Sequence, residues 1–127
     1  MSAQDKIKID GMAAFVKTPT ITLSHRFAPK DTVITLYGSS INYILSSGTH
    51  AKTDWKVCII EDDNETVVWS KTINSANTNT VIPRSTLNPG TYYCFVRYYD
   101  SSTQSYSFWS EGISLVITDI INNISWK

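Results

Sequence analysis

Two cysteines, two histidines and one acidic run are the residues of this 127-residue chain whose types and spacing bear on chemistry. A zinc site needs a second His or Cys at short spacing from the first. His25 and His50 fall in separate loops with no such neighbour, so both read as solvated loop residues. Glu61-Asp62-Asp63-Asn64-Glu65 offers oxygens to a calcium ion, but it lacks the Asp-x-Asp-x-Asp-Gly order and reads as a turn. A nucleophilic thiol needs a cation beside it to become thiolate. Neither Cys58 nor Cys94 has a basic sequence neighbour placed to do that. There is no Gly-x-Ser-x-Gly elbow and no glycine-rich phosphate loop. The expectation is a protein without catalytic residues, cofactor or metal.

The aromatic residues offer binding rather than reaction. Thr91 to Tyr99 is a run of β-branched and aromatic residues that reads as a strand. Alternation puts Tyr92, Cys94, Val96 and Tyr98 on one face and Tyr93, Phe95, Arg97 and Tyr99 on the other. The second set would lie beside Lys56, Cys58 and Ile60. Tyr93, Phe95 and Tyr99 are therefore candidates for a contact face, stacking on a sugar or meeting a protein. The competing reading is an outer face covered by an arm, by the tail or by a ladder built on Arg97. On the neighbouring strand Trp55, Val57 and Ile59 share the buried face, which turns Cys58 outward while Cys94 turns inward. Thiols on opposite faces cannot bridge, so both are expected free, in a reducing compartment.

The elements that would position these residues are all strands. Pro19 to Leu23, Thr32 to Tyr37, Thr53 to Glu61, Thr66 to Lys71, Thr80 to Pro83, Thr91 to Tyr99 and Gly112 to Thr118 are each short, apolar on one face and bounded by turn residues. His25 to Asp31 reads as a loop, and Ile41 to Leu45 as a continuation of the second strand after a bulge. In the fifth strand the pattern leaves open whether Val81 or Ile82 faces inward. This predicts a seven-stranded antiparallel sandwich over residues 19–118. Residues 1–18 form an N-terminal arm or extra strand, and residues 119–127 a C-terminal tail. Ile7, Ile9, Met12, Phe15 and Val16 are the apolar residues of the arm and its candidate partner anchors. Ile120, Ile121 and Trp126 in the tail are the rival set.

Bulk properties narrow the partner. Formal net charge is zero and no Lys/Arg stripe forms, which argues against nucleic acid. No apolar run approaches membrane-spanning length, and residues 1–6 are polar, without a signal-peptide apolar core. Synthesis and retention in a cytoplasm is the expectation.

Leu87-Asn88-Pro89-Gly90-Thr91-Tyr92 has the spacing of a tyrosine corner, in which a buried Tyr bonds back to the upstream turn. It resembles the corner of fibronectin type III and immunoglobulin-like sandwiches. Tyr106-Ser107-Phe108-Trp109-Ser110 is similar to the Trp-Ser-x-Trp-Ser box of some fibronectin type III domains, with Tyr in place of the first Trp. The resemblance implies that Arg97 stacks between Tyr106 and Trp109. It also implies that Trp55 and Tyr92 are structural. Cys94 occupies the position of the second immunoglobulin cysteine, but the second strand has no Cys to partner it. Together with Thr49-His50-Ala51-Lys52-Thr53-Asp54-Trp55, Val67-Val68-Trp69 and Val96-Arg97-Tyr98, these residues look like the modules common in tailed-bacteriophage structural proteins. That likeness implies a non-enzymatic virion accessory protein, made in the host cytoplasm. A head decoration protein bound to the major capsid protein is the leading form. A tail or neck accessory protein, or a module binding host surface glycans, is the alternative.

Overall fold

The computed structural model describes residues 16–44 and 48–119. Ile7, Ile9, Met12, Phe15, Ile120, Ile121 and Trp126 lie outside them. The described residues are all-β, with no helix among them. The strands are β1 (Ile21–Leu23), β2 (Phe27–Pro29), β3 (Ile34–Gly38), β4 (His50–Glu61), β5 (Asn64–Ile73), β6 (Asn79–Ile82), β7 (Gly90–Asp100), β8 (Ser105–Tyr106) and β9 (Ile113–Thr118).

They form two sheets in a sandwich-like arrangement. The smaller has the order β1-β3-β6, and the larger the order β2-β9-β7-β4-β5, with β8 against the far end of β7. The core lies between them. Ile34, Leu36 and Ile82 face it from the small sheet, and Trp55, Val57, Val96 and Leu115 from the large one, each no more than 2% exposed. Period-2 alternation explains this: in β7 Tyr92, Cys94, Val96 and Tyr98 all join the core cluster. In β6 the undecided parity resolves toward Thr80 and Ile82, and Val81 faces solvent.

Seven antiparallel strands were expected, and the described residues form nine, one pair of which is parallel. The extra strand β2 lies in the predicted loop and runs parallel to β9, with Phe27, Ala28 and Pro29 opposite Val116, Ile117 and Thr118. It forms because Arg26 and β9 bond each other: Val116 N donates to Arg26 O (2.9 Å), and the Arg26 side chain donates to Ser114 O (2.6 Å). Pro29 fits because this is an edge, where a missing N–H costs no ladder bond. The second extra strand, β8, is two residues long.

Ile41 to Ile44 does not extend β3. Tyr43 instead makes an isolated antiparallel bridge with Val16, and Lys17 N donates to Asn42 O (2.8 Å). Val16 is 1% exposed and belongs to the core cluster. This corrects its assignment as a partner anchor: its side chain is already used inside the domain, and Val16 is the root of the arm.

The acidic run is the tight turn between β4 and β5. Asp62 and Asp63 both have positive φ, 52° and 65°, between Glu61 and Asn64, which face each other across the hairpin. Two central residues in the left-handed region are the signature of a type I′ hairpin, whose twist matches that of the flanking strands. The β4–β5 pairing also shifts register between Val57 and Cys58, leaving Val68 as the extra residue of a bulge.

Candidate functional site: the outer face of the large sheet

Cross-strand register places Lys52, Asp54, Lys56, Cys58 and Ile60 of β4 on the outer face, beside Tyr99, Arg97, Phe95, Tyr93 and Thr91 of β7. The two halves of this face differ.

The half nearest β8 is sealed by a column of alternating cations and rings. The Arg97 guanidinium lies 3.8 Å from the Tyr106 ring centre and 4.6 Å from that of Trp109. Lys56 Nζ lies 4.5 Å from the Trp109 ring centre and 5.0 Å from that of Phe95. Lys52 Nζ sits 5.1 Å over Tyr99, and Tyr99 packs at 4.8 Å on Tyr106. Both inner cations have a carboxylate partner: Arg97 Nε donates to Asp54 Oδ2 (2.9 Å) and Lys56 Nζ to Glu65 Oε1 (2.8 Å). Thr72 Oγ1 donates to the other Asp54 oxygen at 2.8 Å.

The segment that carries Tyr106 and Trp109 is stitched to the edge of β7 by two serines. Ser107 N donates to Tyr98 O (2.8 Å), while Ser107 Oγ accepts from Tyr98 N (3.0 Å). Ser110 repeats this with Val96, at 2.9 and 3.0 Å. Each serine thus does the work of a full ladder residue. They bridge the gap on β7 between its pairing with β9, which ends at Cys94, and its pairing with β8, which starts at Tyr99. The same three-residue spacing that brings Ser107 and Ser110 to β7 brings Tyr106 and Trp109 over the sheet, and Phe108 is left 62% exposed.

The structure therefore brings together Arg97, Tyr106 and Trp109, as the sequence predicts. It also recruits Lys52, Asp54, Lys56, Ser107 and Ser110, none of which was singled out for it. Parity alone placed Lys56 beside Phe95, and that was the one signal available. Two of the three candidate contact residues are largely used up. Phe95 is 8% exposed, beneath Lys56 and against Gly112, where an added Cβ would meet its ring at 2.8 Å. Tyr99 is half-buried between Lys52 and Tyr106. Tyr93 alone remains on the open half.

Elsewhere the reactive types have structural roles. Tyr92 Oη donates to Asn88 O (2.6 Å), closing the corner. Cys58 and Cys94 are both free and fully buried. Burial pushes the Cys94 thiol up to about 12. Burial also raises Cys58, aided by the Glu65 carboxylate. Neither is a thiolate near neutral pH. His50 stacks on Tyr98 at 4.5 Å and bonds Thr53 Oγ1 at 2.8 Å, and burial lowers its pKa. Asp100 is fully buried and accepts from Thr49 N (2.5 Å), Thr103 N (2.9 Å) and Thr103 Oγ1 (2.7 Å). A groove of about 460 Å³ between the sheets, beside Ile21 and Ile113, holds a single carboxylate, Glu111, and no acid–base pair. Among the described residues no three His, Cys, Asp or Glu side chains gather as a metal would need.

A scan against protein-family models finds no match, and a search of curated proteins finds none either.

Proposed function

We propose that the chain is a non-enzymatic display module with an immunoglobulin/fibronectin III-like sandwich, serving as an accessory protein of a tailed-phage virion, in the first instance a head decoration protein. The virion part of this reading rests on the sequence resemblance described above. The structural observation that supports a display module is that the described residues share one apolar core. Both sheets contribute to one continuous apolar cluster, and Val16 fixes the root of the arm inside it. The candidate anchors Ile7, Ile9, Met12 and Phe15 precede Val16 in the sequence and lie outside the described residues. An extension that orders on a partner buries apolar area there, less the entropy of ordering it. The cation–π column covers half of the outer face with the chain's own side chains.

The glycan-binding alternative draws on the same face, but two of its three aromatic candidates are covered. The test is direct binding of the purified full chain to capsids of the encoding phage that lack it, in parallel with an array of host surface glycans. Capsid binding without glycan binding is expected. Glycan binding alone would replace this reading with the alternative.

A further inference from the structure

The open half of the outer face is an apolar strip without a cover among the described residues. Register aligns Phe27 of β2 with Val116 of β9, then Thr91 of β7, and Ile60 of β4 with Glu65 of β5. One row nearer the column, Tyr93 sits beside Cys58, and Cys58 beside Val67. Phe27 is 69% exposed, Val67 52% and Ile60 38%, while Val116 and Tyr93 are half-buried. Aromatic and branched side chains on five different strands thus make one contiguous strip, the kind of surface a soluble chain seldom leaves bare.

We propose that the C-terminal segment, residues 120–127, docks across this strip. Chain geometry selects it. β9 ends at Thr118, opposite Pro29 and one residue past the Ile117–Gly90 pair, so the chain leaves the last strand two residues beyond Val116 and its partner Phe27. Three inter-strand spacings separate β9 from β5, about 14 Å, while eight extended residues reach about 26 Å. The segment Ile-Ile-Asn-Asn-Ile-Ser-Trp-Lys is apolar at four of its eight positions and ends in a cation. Laid from β9 toward β5, it carries Lys127 to the acidic hairpin of Glu61, Asp62, Asp63 and Glu65. The N-terminal arm starts from the opposite end of the sheet. Its root, Val16, pairs with Tyr43, which lies near enough to Asp100 to feel its charge. That end of β7 is about 30 Å from Thr91.

The test is methyl and indole NMR on the full chain. Nuclear Overhauser contacts are expected from Ile120, Ile121 or Trp126 to Val67, Ile60 or Val116, with amide exchange in residues 121–127 slowed at least about tenfold relative to an unstructured peptide. Two full-length variants, Val67→Asp on the strip and Trp126→Ala on the segment, should each return that exchange to the unstructured rate while leaving the core methyl spectrum in place. Three results would overturn the proposal. One is unprotected amides and no such contacts in the unsubstituted chain. Another is contacts to a different face. The third is strip contacts that appear only between differently labelled copies, which would assign the strip to a second molecule.

Discussion

Arg97 and Asp54 face each other across β7 and β4 and meet at 2.9 Å, and this pair sets the geometry of the outer face. Asp54 holds the guanidinium where both Tyr106 and Trp109 lie within cation–π distance of it. The pair is only partly exposed, 29% for the Arg97 side chain and 12% for Asp54. Its attraction is thus less screened than that of a surface ion pair.

Replacing Arg97 with Ala should cost about 2 kcal/mol, from two lost ring contacts and a charge-assisted bond. Arg97→Lys should recover only part of that, because an ammonium lacks the flat surface that stacks on two rings. Urea denaturation monitored by tryptophan fluorescence reads both. Equal stability of Arg97→Ala and the unsubstituted protein would show that the column contributes nothing.

Ser107→Ala and Ser110→Ala should each cost about 1–3 kcal/mol, since each strips the acceptor from a buried backbone N–H, that of Tyr98 or Val96. Thermal unfolding checks this. Hydrogen exchange should locate the loss at those two amides.

Much of this was legible in the sequence, because it depends on alternation within one strand. Trp55 and Val57 in β4, Ile34 and Leu36 in β3, and the inward set of β7 follow from period 2, and the Tyr92 corner from its local spacing. What was not legible depends on pairing with distant chain. β2 is three residues including a proline, and only β9 makes it a strand. Val16 reads as the end of an apolar arm until its bridge to Tyr43 shows it inside. The bulge at Val57/Cys58 and the double role of Ser107 and Ser110 exist only in the register between strands.

Tyr92→Phe should cost about 1 kcal/mol by leaving Asn88 O without its donor. An unchanged denaturation midpoint would remove the corner bond from the account of stability.

Stability should fall with acid in two stages. Burial lowers the pKa of His50, outweighing the opposing effects of the Lys52 backbone and Asp100. The folded state therefore favours neutral imidazole. That contribution is present above the unfolded value of about 6.5 and is lost as pH falls through the lower folded value. For Asp100 burial pushes the carboxyl up, but hydrogen bonds from Thr103, Thr49 and Ser102 prevail and hold it below the ordinary value. Its contribution is present above about pH 3.9 and disappears as pH drops through the folded value. Denaturation midpoints of His50→Gln and Asp100→Asn against pH should each lose one of the two stages.

The central proposal is that the sandwich-like domain is held to its partner by residues 1–15, which precede Val16. Deleting residues 1–15 keeps Val16 and its bridge, and circular dichroism should show the remaining chain folded. Its binding to capsids lacking the protein should then be measured beside that of the full chain. The account predicts that the full chain binds and that the truncated chain loses at least about a hundredfold in affinity, the equivalent of burying one or two large apolar side chains. Undiminished binding by the truncated, folded chain would contradict it.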